Sequence, residues 1–277
     1  MWIKFSIKKE LVLLTFFWYT LDGDYMYIDT HCHLSVDDYD DIDLIIKENR
    51  ENDIDKIIIS GCTKDTIIES IDIAKKYEDV YLTVGYHPSE TRITDDSNLE
   101  LLVKQIEECN KIVGIGEIGL DYHYGKEDLE LQKSLFEKQM KLAEKFSLPV
   151  VIHTRDATFD TISILKKFPN VKGVIHCFSG SVETAKIYIS MGYKLGIGGV
   201  ITFKNSNLQR VVQEIGLDNI VIETDSPYLT PEPFRGKKNS SKYLALVAKK
   251  ISNIFELDIN DVADKLRKNT YELFDLK

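Results

Sequence analysis

From Met26 onward, the chain alternates between short apolar runs rich in β-branched residues and longer amphipathic, charge-rich segments. The runs occupy 27–30, 56–61, 81–85, 112–117, 149–153, 173–176, 194–197 and 220–223. Between them, apolar residues return at spacings of three and four, and Thr66-Ile67-Ile68-Glu69 and Ser97-Asn98-Leu99-Glu100 have the spacing of capping boxes that open helices. Eight strand-helix alternations in about 250 residues predict an α/β fold of the TIM type, a parallel (β/α)8 barrel forming a single domain over 26–277. An open doubly wound sheet is the competing arrangement. No linker rich in Pro, Gly or Ser marks a second domain, and the sequence holds no low-complexity tract.

Residues 1–25 read as an N-terminal extension outside that domain. Lys4, Lys8 and Lys9 precede an apolar stretch over 11–19, the order of charged and apolar regions in a signal peptide. The stretch is too short to span a bilayer, and no small-residue cleavage site follows it, so no membrane segment is expected. The four cysteines, Cys32, Cys62, Cys109 and Cys177, form no Cys-x-x-Cys pair. Reduced thiols and a cytoplasmic location are the corresponding expectation. Strand alternation turns Cys32 and Cys177 away from the histidines beside them.

Five of the six histidines and two carboxylates stand at the ends of the apolar runs. Asp29-Thr30-His31-Cys32-His33 places two imidazoles at i and i+2, on one side of a strand, where both can grip one ion. Glu117, His153, His176 and Asp225 close four other runs, and in a barrel the carboxyl ends of the strands meet at one mouth. Four imidazoles and two carboxylates exceed the needs of one catalytic zinc and suit two adjacent divalent ions. The expected assignment gives one ion to His31, His33 and Asp225 and the other to His153 and His176, with Glu117 bridging both. This mixed donor set admits zinc, manganese or magnesium. Such ions lower the pKa of a bound water from 15.7 to about 7, so hydroxide forms at neutral pH. Asp225 and Glu117 are then the catalytic carboxylates, with Asp225 taking the proton from water.

Cations follow the same strands. Arg155, Lys204 and Arg235 are expected to hold phosphate at the mouth, Arg155 and Arg235 through the guanidinium fork, whereas Lys237 and Lys238 read as solvated surface. The net charge of −10 excludes a protein that coats nucleic acid over its whole surface, but allows a locally basic mouth. His87 reads as a substrate contact, because the ligand set is complete without it; His123 is either a loop residue or a substrate-side group. Gly196, Gly198 and Gly199 open no helix with a dinucleotide fingerprint, so no nucleotide cofactor is expected.

Taken in order, Asp29-Thr30-His31-Cys32-His33-Leu34, Gly85-Tyr86-His87-Pro88, Gly116-Glu117-Ile118-Gly119-Leu120-Asp121-Tyr122, Ile152-His153-Thr154-Arg155, His176-Cys177-Phe178-Ser179-Gly180, Glu223-Thr224-Asp225-Ser226-Pro227-Tyr228-Leu229 and Arg235-Gly236-Lys237-Lys238-Asn239 resemble the TatD family of metal-dependent deoxyribonucleases, within the amidohydrolase-like barrels. The resemblance covers 26–277. It implies a barrel hydrolase with one or two divalent ions that cleaves DNA, often as a 3'-5' exonuclease on single strands. It carries ligand roles onto His31, His33, Glu117, His153, His176 and Asp225. The chain departs from the family pattern in residues 1–25 and at His123, where an aromatic is more familiar. Two alternatives stay open: a metal-dependent ester or amide hydrolase, such as an aminoacyl-tRNA deacylase or lactonase, and a non-catalytic metal- or nucleic-acid-binding protein. Asp225 argues against the second, since binding alone needs no proton acceptor.

Overall fold

A computed structural model describes residues 27–123, 125 and 127–276; the expected extension at 1–25 lies outside them. Eight parallel strands, β1 Tyr27–Cys32, β2 Ile54–Gly61, β3 Val80–Val84, β4 Ile112–Asp121, β5 Val150–Arg155, β6 Gly173–Ile175, β7 Tyr193–Ile197 and β8 Ile220–Ile222, form one sheet in sequence order. The helices are α1 Ile42–Glu51, α2 Lys64–Lys76, α3 Asp96–Glu108, α4 Leu129–Phe146, α5 Thr158–Leu165, α6 Val182–Ser190, α7 Leu208–Ile215, α8 Leu244–Phe255 and α9 Ile259–Phe274. The sheet curls until its first and last strands meet. Thr30 Oγ1 donates to the Ile222 carbonyl at 3.0 Å, Asp225 N–H to the His31 carbonyl at 3.0 Å, and His33 N–H to the Ser226 carbonyl at 2.7 Å. This seam makes the sheet a (β/α)8 barrel and removes the open doubly wound alternative.

Side-chain alternation divides the core in two. Ile28, Val113, Val151, Val174 and Val221, each the second residue of its strand, form an inner layer with Ile58 and Tyr81, against which Phe274 at the end of α9 and Leu276 just beyond it pack. The larger cluster, with Ile57, Leu82, Ile115, Ile152 and Leu195, fills the space between strands and helices.

Several boundaries move from their expected places. The helix caps are Thr63 and Asp95, not Thr66 and Ser97. Thr66 serves as the third helical residue, its hydroxyl accepting the Thr63 N–H at 2.9 Å, and the Asn98 side chain plays the same part for Asp95 at 2.9 Å. Strand β4 runs four residues beyond Glu117, because its ladder with β5 continues from Ile118 opposite Ile152 to Asp121 opposite Arg155. No described helix is long and apolar enough to cross a membrane.

Candidate metal centre

The pairing register of β1 shifts between Asp29 and Cys32, at the residues that aim His31. Such an irregularity re-aims a side chain without ending the strand. His33 lies just past the strand end. The two Nε2 atoms lie 3.3 Å apart, while the Cys32 thiol turns to the other side, 3.7 Å from the Ile58 carbonyl. Strand β4 shifts register between Ile115 and Ile118, around Glu117. Glycine permits the crowding that follows. At Gly119, with φ of +144°, a Cβ would fall 2.0 Å from the His153 carbonyl oxygen, so only glycine lets β4 pass this close to β5.

Glu117 stands between two pairs of imidazoles. Its Oε2 lies 3.6 Å from His31 Nε2 and 3.9 Å from His33 Nε2; its Oε1 lies 2.7 Å from His153 Nδ1 and 3.5 Å from His176 Nε2. Asp225, in the left-handed region that aspartate tolerates, places Oδ1 3.4 Å from His33 Nε2 and 3.6 Å from His31 Nε2. Ligand atoms of His31, His33 and Glu117, of Glu117, His153 and His176, and of His31, His176 and Asp225 lie within 4.8 Å of one another in each trio. All six residues singled out in the sequence therefore converge, and the donor set of ring nitrogens and carboxylate oxygens fits divalent cations.

His87 comes as close as the expected ligands, with Nε2 3.9 Å from Glu117 Oε1 and its ring 4.5 Å from that of His153. With Asp121 and His153 it forms a further trio of ligand atoms within 4.8 Å. Its Nδ1, however, accepts the Ser89 N–H at 3.1 Å, which leaves the hydrogen of the neutral ring on Nε2, facing the centre. Arg155 ends β5, exposed, beside a cavity that His176 also lines. His123 is exposed, with Nδ1 3.2 Å from Asp156 Oδ2. Lys204 is exposed after β7, and the exposed Arg235 packs over the Phe203 ring at 4.4 Å.

The family model described as TatD related DNase matches residues 28–275. The chain belongs to the TatD family. The uncharacterized metal-dependent hydrolase YabD of Bacillus subtilis is 38% identical over 253 residues, covering 90% of this chain and 99% of YabD. The uncharacterized metal-dependent hydrolase YjjV of Escherichia coli K12 is 31% identical over 255 residues, covering 90% and 98%. The crystal structure of YjjV, titled a TatD homolog, superposes with a TM-score of 0.85 at 30% identity, over 92% of this chain and 100% of that one. A TatD family hydrolase from Entamoeba histolytica shares the fold, with a TM-score of 0.80 at 24% identity over 91% and 99%.

Behind the inner residues of this TatD centre stand three carboxylates that reading the sequence did not single out. Asp121 Oδ2 lies 3.1 Å from His153 Nε2, and Glu223 Oε1 lies 3.1 Å from His176 Nδ1, so each fixes which ring nitrogen faces inward. Glu223 is fully buried and also accepts the Cys177 N–H at 2.6 Å. Gly196 makes room for it, since a Cβ there would fall 2.2 Å from Glu223 Oε2. Asp29 accepts the Thr224 N–H at 2.9 Å and the Thr224 hydroxyl at 2.5 Å, tying β1 to the segment that carries Asp225. The available signal was spacing: Asp29 and Glu223 stand two residues before His31 and Asp225, and Asp121 four after Glu117.

Burial and mutual charge set the protonation of the cluster. Burial works against the charged form of Glu117, yet the His176, His153 and His31 imidazoles hold its carboxyl well below the usual range. Burial opposes a proton on His176 and on His153. Glu223 and Glu117 nevertheless push His176 up to about 10, and Asp121 and Glu117 push His153 up to about 9. His31 goes the other way, lowered first by burial and then by His176. Burial lowers His87 to about 4, which keeps it neutral.

Proposed function

We propose that this TatD-family metal-dependent hydrolase cleaves the phosphodiester bonds of DNA, acting as a 3'-5' exonuclease on single-stranded ends. In this reading His31, His33 and Asp225 hold one divalent ion, His153 and His176 a second, and Glu117 bridges them. The observation that carries it is the placement of Glu117, with one carboxylate oxygen toward each imidazole pair. A divalent ion there lowers the pKa of water towards neutrality and offsets the charge of a phosphodiester. Glu117 and Asp225 supply negative charge to hold the cations, and Asp225 accepts the proton of the attacking water. His87 donates Nε2–H to a phosphate oxygen, while Asp121 and Glu223 keep His153 and His176 aimed. Arg155, Lys204 and Arg235 bind the flanking phosphates. None of the four cysteines is in a disulfide, which supports a cytoplasmic location.

Metal-stripped protein, given zinc, manganese or magnesium singly, is to be offered end-labelled single-stranded DNA, duplex DNA, RNA and an aminoacyl ester. Ion-dependent shortening of the single strand from its 3' end is expected, with a loss of about 10²–10⁴ in rate for Asp225→Asn. Turnover of the ester alone, or undiminished DNA cleavage by Asp225→Asn, would reject the reading.

A further inference from the structure

Two exposed aromatic rings stand on segments that follow strands contributing to the metal centre. Tyr228, 58% exposed, follows β8 and meets the His33 ring at 6.0 Å between centroids. Phe159, 81% exposed, lies in the first turn of α5, the helix that follows β5 and its His153. The residue before it, Thr158, lines a cavity of about 510 Å³ that reaches His176 and is shared by Thr154, Arg155, Ser179 and Thr184. Tyr188 also lines it, its hydroxyl buried beside Thr154. Hydroxyls and a guanidinium suit a sugar and its phosphate, whereas a flat apolar ring left in water suits the face of a base.

We propose that this cavity and Phe159 form a subsite for the nucleotide flanking the scissile phosphate: the sugar-phosphate enters the cavity and the base stacks on Phe159, while Tyr228 stacks the base on the other side. The inference rests on the nuclease reading above and adds where the strand lies. Stacking on both rings requires unpaired bases, so it gives the site a physical reason to prefer a single strand. The position of Phe159 on the surface makes its substitution harmless to the core.

The test uses full-length metal-loaded protein and two single-stranded oligonucleotides, one normal and one with its two terminal nucleotides abasic. Phe159→Ala should raise KM for the normal strand about tenfold, leave kcat and metal loading unchanged, and leave the abasic strand unaffected. Phe159→Trp should restore the wild-type KM. Ser179→Trp, which fills the cavity from an exposed position, should raise KM for both strands, because both carry the sugar-phosphate. Unchanged KM in Phe159→Ala, or equal losses on the two strands, would overturn the inference while the nuclease reading stands. Failure of wild type to cleave either strand would overturn both.

Discussion

Glu223 touches no inward-facing ring nitrogen, yet it governs how His176 meets a cation. Its carboxylate holds Nδ1 and leaves Nε2 directed at Glu117, and its charge contributes most to raising His176 against the effect of burial. In metal-free protein at pH 7, His176 near 10 and His153 near 9 both carry protons that a bound cation must displace. Loading therefore releases protons, and apparent metal affinity rises with pH. Glu223→Gln removes the charge and leaves His176 less protonated, so fewer protons should be released. It also loosens the ring, so affinity above pH 10, where proton competition from His176 has faded, should fall about 10–100-fold. Chelator competition at pH 6.5, 7.5, 9 and 10.5, with proton release followed in weak buffer, measures both quantities. An affinity independent of pH would contradict the assignment.

The last turn of α9 has a different task from the strand ends. Phe274, 3% exposed, packs on the inner apolar layer that includes Ile28, Ile58, Val113, Val151, Val174 and Val221, at the end of the barrel opposite the metal centre. Phe274→Ala should cost about 3–5 kcal/mol through lost burial and the cavity left behind. For a domain of this size the melting temperature should fall by about 10 °C, with metal affinity unchanged. Loss of metal binding together with stability would show that the two ends are coupled. The strands themselves were legible because apolar β-branched runs announce them, and so were the six inward-facing groups, because each sits where a run stops. Helix starts were displaced because Thr66 and Asn98 complete capping boxes with Thr63 and Asp95, while Glu69 and Glu100 offer the same spacing a few residues further along. Asp29, Asp121 and Glu223 escaped notice because what distinguishes them from other acids is burial against a particular partner. The register shifts in β1 and β4 that aim His31 and Glu117 come from pairing between strands, which local pattern does not encode.

The groups that converge on the centre come from β1, β4 and β5 and from the segments that follow β6 and β8, positions spread around a closed ring. No unfolded chain holds them together, so bound cations must leave when the barrel opens and their binding energy adds to folding stability. At a free concentration one hundred times Kd, one ion adds about 2.7 kcal/mol, or roughly 5–10 °C in melting temperature for a chain of this length. Without metal, the seam between β8 and β1 rests on the hydrogen bonds of Thr30, Asp29 and the backbone around Asp225, together with the apolar layers. Melting wild type with excess zinc or manganese and again after chelation should show that interval. Glu117→Ala, which removes the carboxylate shared by both imidazole pairs, should lose most of the difference between the two curves whatever its own stability. Lys204→Ala, exposed after β7, should keep it. Superimposable curves for loaded and stripped wild type would mean that the six groups do not act together on a cation, and the proposed chemistry would fall with them.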